Sequence, residues 1–291
     1  MPSIETISSL GENESLRRTI ARLNLSASAL VGPGDDSAVV SAPDGRFCVT
    51  TDTMVEGHDF RLDWSSAFDL GYKAVASNVA DIAAMGAKPT ALVVALCAPA
   101  STQISWLESF ADGLREACLA LAPEAAVVGG DLTTAQQFVI AVTAHGDLEG
   151  RQPVLRSGAK PGDVLAVGGT LGKAAAGLAL LESGNRDAIA SYDELVGVQL
   201  RPQPPIDLGP AASLAGATAM LDLSDGLSRD LARICKASKV SANFDSGALQ
   251  GYQAMLEQAA QAIGGNTLDW VLHGGEDHSL LATFSSENDL P

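Results

Sequence analysis

Ala91-Leu92-Val93-Val94-Ala95-Leu96 is an unbroken apolar run of strand length, and what surrounds it decides the fold. Such a run reads as a buried strand. After it, Ile104, Leu107, Phe110, Leu114, Ala117 and Leu121 recur at the spacing of an amphipathic helix. Two further apolar runs, Ala126-Val127-Val128 and Phe138-Val139-Ile140-Ala141-Val142, predict strands separated by a turn at Gly129-Gly130-Asp131. Before it, a helix is predicted over about residues 66–85, with Tyr72, Val75, Val79 and Ile82 near one face. Strand and helix alternate, so the first half reads as an α/β unit. Further upstream, residues 4–23 carry a helical pattern. Asp44-Gly45, between apolar residues 37–40 and 47–50, predicts a β-hairpin.

Residues 150–162 are turn-rich and polar, which predicts a boundary between domains 1–150 and 151–291. The second domain opens with a strand over 164–167 and an Ala-rich helix over about 171–181. After the break Arg201-Pro202-Gln203-Pro204-Pro205, a strand over 219–223 leads into a helix bearing Leu227, Leu231, Ile234 and Cys235.

Aspartates with Gly, Ser or Thr neighbours recur along this framework: Gly34-Asp35-Asp36-Ser37, Thr50-Thr51-Asp52, Asn78-Val79-Ala80-Asp81, Gly129-Gly130-Asp131 and Asp222-Leu223-Ser224-Asp225-Gly226. Carboxylates beside hydroxyls and glycines suit Mg²⁺ and the phosphates it carries. Each segment also has a plainer reading. Thr50-Thr51-Asp52 can be an Asx-type turn, and Gly129-Gly130-Asp131 a simple turn. In Asp222–Gly226, alternation puts Asp222 and Ser224 on one strand face, and Asp225 stands where helix N–H groups can hold phosphate. Ser224 or Asp225 as a helix cap is the alternative. Asp81 is more telling, because a half-buried carboxylate among small apolar residues needs a partner, and metal is one way to supply it; a carboxylate on the helix surface is the alternative. Asn78, three residues earlier, can address the same point. Glu276, in Gly274-Gly275-Glu276-Asp277, can bind a substrate cation or hydroxyl, or cap a loop.

Two patterns fail. Gly168-Gly169-Thr170-Leu171-Gly172-Lys173-Ala174 is one residue short of a P-loop, and Ala174 replaces its Ser/Thr. Gly32-Pro33-Gly34 lacks the third glycine of a dinucleotide fingerprint. His58, His145, His273 and His278 form no metal-site spacing and read mostly as surface or loop residues.

The formal charge is 18 − 35 = −17, which disfavours nucleic-acid backbone as a partner. Hydrophobic content of 46% suffices for packed cores, and aromatics at 4% leave those cores to Ala, Val, Leu and Ile. Cys48, Cys97, Cys118 and Cys235 lie apart with no C-x-x-C pair, which predicts free thiols in a reducing compartment. No basic start followed by an apolar stretch is seen, and no apolar run is long enough to span a bilayer. A cytoplasmic protein is expected.

Taken in order, these motifs resemble the thiamine-monophosphate kinase family. The carriers, besides the acidic segments, are Thr51-Asp52-Thr53-Met54-Val55-Glu56-Gly57, the continuation Ile82-Ala83-Ala84-Met85-Gly86-Ala87, Arg156-Ser157-Gly158-Ala159-Lys160-Pro161-Gly162-Asp163 and Gly274-Gly275-Glu276-Asp277. The match runs from Gly32 to about Phe284. The resemblance implies a two-domain α/β (α+β) fold of the aminoimidazole-ribonucleotide synthetase superfamily, usually a homodimer formed through the N-terminal sheet. It implies transfer of the ATP γ-phosphoryl group to thiamine monophosphate with several Mg²⁺ ions. By resemblance, Asp36, Thr50, Thr51, Asp52, Asp81, Asp131, Asp222 and Asp225 match metal positions. Gly130, Asp131, Arg156 and Ser224 match nucleotide contacts, and Glu276 matches a substrate contact.

Two departures stand out. The family has a substrate histidine where this chain reads Gly57-His58-Asp59-Phe60, so Asp59 takes its place or His58 serves through a local shift. The family also continues past the position of Pro291, so the second domain is expected to lack its last strands. Two other readings stay open: another ATP-using enzyme of the superfamily, such as an amidine ligase, and a Mg-nucleotide-binding protein without turnover.

Overall fold

The computed structural model describes residues 5–31, 39–243 and 245–291. They fall into two units, one of Met1–Ile82 with Pro89–Glu149, the other of Ala83–Lys88 with Gly150–Pro291.

In the first unit, α1 (Ile7–Leu10) and α2 (Glu12–Ile20) replace the single helix expected over residues 4–23, because Gly11 breaks it at φ +79°. β1 (Ala29–Val31) and β2 (Val39–Val40) pair antiparallel as a sheet of their own. The hairpin expected across Asp44-Gly45 is therefore corrected. The turn itself forms, with Gly45 at φ +76° and Asp44 Oδ1 accepting from the Arg46 N–H at 2.9 Å. The strand after it, β3 (Cys48–Val55), pairs elsewhere. It is followed by α3 (Ala67–Ala84), β4 (Lys88–Ala98), α4 (Ile104–Leu121), β5 (Ala126–Thr134) and β6 (Val139–Asp147).

These strands form a sheet in the order β3-β6-β4-β5. β3 runs antiparallel to β6 from Cys48↔Gly146 to Val55↔Val139. β4 and β5 are parallel, joined by α4 as a parallel pair requires. A Cβ on Gly71 of α3 would stand 2.2 Å from the Phe110 carbonyl oxygen of α4, and one on Gly113 2.1 Å from that of Phe68. Glycine at both positions lets the two helices cross backbone to backbone.

A second correction concerns Gly129-Gly130-Asp131, which lies inside β5 rather than in a turn. The register steps from Leu92↔Val127 to Val93↔Gly129, skipping Val128, and a Cβ on Gly130 would meet the Val94 carbonyl oxygen at 2.1 Å. Glycines in a strand mark such an irregularity and a close backbone approach.

The second unit contains β7 (Val164–Gly168), α5 (Lys173–Ser183), α6 (Arg186–Ser191), α7 (Asp193–Leu200), α8 (Leu208–Leu214), β8 (Ala219–Asp222), α9 (Leu227–Ser238), α10 (Gln250–Ile263), α11 (Thr267–His273) and β9 (Leu280–Phe284). Its sheet has the order β7-β9-β8, antiparallel throughout. Central β9 is buried at every residue, and Leu280, Ala282 and Phe284 pack with Met220, Val154, Ala212 and Ala84. The short segment Ala83–Lys88 is tied to this unit by Val154 N–H to the Met85 carbonyl at 3.1 Å.

Candidate active site

In the first unit, β3 carries Thr50, Thr51 and Asp52, and α3 carries Asp81. Thr50 Oγ1 donates to Asp81 Oδ2 at 2.7 Å. The half-buried Asp81 thus has the partner that its apolar neighbours demanded. Thr51 faces the other way and is engaged in the sheet, donating to the Val142 carbonyl at 2.9 Å and accepting from Thr143 Oγ1 at 3.2 Å. Asp52 is exposed. Asn78, one turn before Asp81, is 1% exposed, and its Oδ1 has no hydrogen-bond partner among the described residues.

Asp131, also exposed, lies on β5, the opposite edge strand from β3. Three strand spacings separate the two edges, roughly 14 Å. Within one chain Thr50 and Asp81 come together, and Asp131 stays apart from them. Asp36 lies outside the described residues. Asp59 holds its own turn: Oδ2 accepts from the Val55 N–H at 2.8 Å, and Oδ1 lies 2.9 Å from Nδ1 of the largely exposed His58.

In the second unit, β8 ends at Asp222, so Ser224 lies beyond the strand and the expected sharing of a strand face does not occur. Asp222 is 4% exposed, with Oδ2 3.3 Å from His278 Nδ1. His278 lies in the loop before β9, as a loop reading allows, and is buried there. The Ser224 carbonyl accepts from the Glu276 N–H at 3.1 Å, that of Leu223 from His278 at 3.2 Å, and the Leu223 N–H donates to Ser279 at 2.7 Å. The two acidic motifs are thereby laced side by side. Glycines permit the approach, since a Cβ on Gly275 would stand 2.4 Å from the Ser224 carbonyl oxygen.

The N-cap of α9 is Gly226, with no side-chain cap, so neither Ser224 nor Asp225 caps that helix. Asp225 instead forms an ion pair with Arg233, which also reaches Asp230 at 2.5 Å. Asp230 Oδ2 accepts the Asp225 N–H at 2.9 Å. Burial pushes the Asp230 carboxyl above the usual carboxylate range, against the opposing pull of that N–H and of Arg233. Arg156 is exposed, and its carbonyl accepts from Ser238 Oγ at 2.7 Å.

The rejected P-loop pattern has a specific occupant. Asp277 Oδ2 accepts from the Gly172 N–H at 2.8 Å, and Oδ1 accepts from Thr170 Oγ1 at 2.7 Å and the Lys173 N–H at 3.2 Å. These N–H groups at the start of α5 would suit an anion, and an internal carboxylate fills them. Sequence reasoning quoted Asp277 and His278 without giving them a role, and passed over Asp230 and Gln199. Asp230 was findable, because it stands on the apolar stripe with Leu227, Leu231 and Ile234. Gln199 carries no sequence signal; its Nε2 donates to Glu276 Oε2 at 2.6 Å.

Each unit taken by itself offers oxygen donors, Thr50, Asp52 and Asp81 in the first and Asp222 and Asp225 in the second, the ligand type a hard cation requires. No group of three or more His, Cys, Asp or Glu among the described residues forms a ready-made metal cage. Mg²⁺ is commonly held by one or two carboxylates together with phosphate oxygens and water.

The chain matches the AIR synthase related protein N-terminal domain over residues 34–148 and the corresponding C-terminal domain over 160–288. It is 48% identical to the thiamine-monophosphate kinase of Mycobacterium tuberculosis over 279 residues, 96% of this chain and 82% of that protein. The crystal structure of thiamine-monophosphate kinase from Stenotrophomonas maltophilia superposes with a TM-score of 0.75 at 32% identity, covering 95% of this chain and 85% of that one. AaThiL complexed with AMPPCP and TMP superposes at 0.70 with 29% identity, covering 81% and 74%. The two-domain fold is that of AIR synthase, as the motifs implied, and the chain belongs to the thiamine-monophosphate kinase family.

Proposed function

We propose that this protein transfers the γ-phosphoryl group of ATP to the phosphate of thiamine monophosphate, giving thiamine diphosphate and ADP. The observation that carries the proposal is close similarity along nearly the whole chain to a kinase of that name. A related chain was solved with an ATP analogue and TMP together, the two ligands such a reaction brings into contact.

Residue roles follow the chemistry. Thr50, Asp52, Asp81, Asp131, Asp222 and Asp225, with Asp36, are the proposed metal-holding positions, and Thr51, whose hydroxyl is engaged in the sheet, would serve there only through its backbone. Bound Mg²⁺ neutralises phosphate oxygens, so that two anionic reactants can approach. Thr50 orients Asp81 through their hydrogen bond. Gly130 and Asp131 would contact the nucleotide phosphates, and Arg156 and Ser224 supply donors to the nucleotide. Glu276 faces the thiamine part, and Asp59, with His58 against it, stands at the second substrate position. An oxygen of the acceptor phosphate attacks the γ-phosphorus in line as the bond to the ADP oxygen breaks. That oxygen is already anionic, so no protein base and no phosphoenzyme are required.

The proposal includes a cytoplasmic homodimer formed through the N-terminal sheet. Support for the dimer comes from the exposed β3 residues Val49, Thr51 and Thr53. A phosphate-acceptor panel with ATP tests the activity. Thiamine diphosphate should form only from thiamine monophosphate; turnover of a different acceptor, with thiamine monophosphate inert, would move the chain to another superfamily reaction.

A further inference from the structure

We propose that Gln199 is a positioning residue for the substrate, setting the direction of Glu276 from the neighbouring helix α7. Gln199 is 6% exposed, and its Nε2 lies 2.6 Å from Glu276 Oε2. A buried amide committed to a carboxylate makes a charge-assisted bond, stronger than a neutral one.

Glu276 is unusual in its backbone as well. Its φ of +67° is one that non-glycine residues seldom adopt. Contacts on either side impose it: the Glu276 N–H donates to the Ser224 carbonyl at 3.1 Å, and Asp277 is anchored by Thr170 and Gly172 at 2.7 and 2.8 Å. Those contacts fix where the side chain starts. Gln199 holds one of its carboxylate oxygens.

The platform behind Gln199 is closely packed. A Cβ on Gly177 of α5 would stand 2.2 Å from the Leu195 carbonyl oxygen and 3.0 Å from Gln199 Cβ, so α5 and α7 are in backbone contact at the glutamine. An amide differs from a basic residue in orienting a carboxylate without itself neutralising it, which is compatible with a cationic substrate such as a thiazolium ring.

The inference rests on Glu276 as a substrate contact, and the test separates the two claims. Initial rates are measured with ATP and thiamine monophosphate for the wild type, Gln199→Met and Glu276→Gln, and the thermal midpoint of each is recorded. Gln199→Met keeps length and removes the donor, and it should raise the KM for thiamine monophosphate about tenfold. The KM for ATP should stay within about twofold, a selectivity that general loosening of the fold would not produce. Glu276→Gln should also raise the KM for thiamine monophosphate. An unchanged KM in Gln199→Met beside a raised one in Glu276→Gln overturns the positioning role. So does a parallel rise in both KM values with a fall in the thermal midpoint. An unaltered KM in Glu276→Gln removes its premise, and a wild type inert towards thiamine monophosphate removes the function beneath it.

Discussion

Thr50 and Asp81 are 31 positions apart in sequence, and their side chains are joined by a 2.7 Å hydrogen bond between an edge strand and a helix. The hydroxyl fixes one carboxylate oxygen of Asp81. In the second unit Asp222 is fixed in a similar way against His278. In each unit a carboxylate is held in place by a neighbouring side chain before any ligand arrives.

If these carboxylates hold Mg²⁺, Asp52→Asn and Asp222→Asn should each lower kcat by roughly 10²-fold or more at fixed Mg²⁺, the scale seen when one group stabilising transition-state charge is lost. Circular dichroism should report an intact fold. Raised Mg²⁺ should recover part of the Asp52→Asn activity. Near-normal rates in both variants would remove the metal assignment.

Asp277→Asn should be a stability variant. The asparagine amide would present a donor to the Gly172 N–H, leaving a buried donor unsatisfied at a cost of about 1–3 kcal/mol. The pH dependence has a definite sign. Burial, outweighing the donors, raises the Asp277 carboxyl above its ordinary 3.8, so the native state binds that proton more tightly than the unfolded chain. The stability this group contributes is full below its unfolded value and is lost as pH rises through the native one. Urea unfolding of both proteins should show the wild-type advantage shrinking from pH 4 upward, and an advantage that grows with pH would contradict this.

Cys118 is fully buried on α4, and burial pushes its thiol up to about 12. It should resist iodoacetamide at pH 8 in the folded protein and react once the chain is unfolded in urea. Mass spectrometry of the labelled protein reads this directly. Native labelling of Cys118 at the unfolded rate would mean that α4 opens freely from the sheet.

Much of this was legible in the chain. The helical spacing of Ile104 through Leu121 and the apolar run of β4 mark a parallel strand–helix–strand unit, because burial imposes those periods directly. The Asp44-Gly45 turn was legible too, but its strand partner was not. β3 pairs with β6, nearly a hundred residues away, and a local turn carries no information about that choice. Gly129-Gly130 looked like a turn because two glycines have the same composition in a turn and in a close strand crossing. The lacing of Asp222–Gly226 against Gly274–Asp277 is a tertiary fact, although both motifs were visible separately. Gln199 was invisible, since one amide on a helix has no pattern around it.

The central claim is Mg²⁺-dependent transfer between two phosphates, and one assay meets it directly. Purified protein is incubated with ATP and thiamine monophosphate, with Mg²⁺ or with excess chelator, and the products are resolved by chromatography. The account predicts thiamine diphosphate and ADP in equal amounts with Mg²⁺ and neither with chelator. Equal yields of thiamine diphosphate under both conditions, or ADP and inorganic phosphate alone, would contradict it.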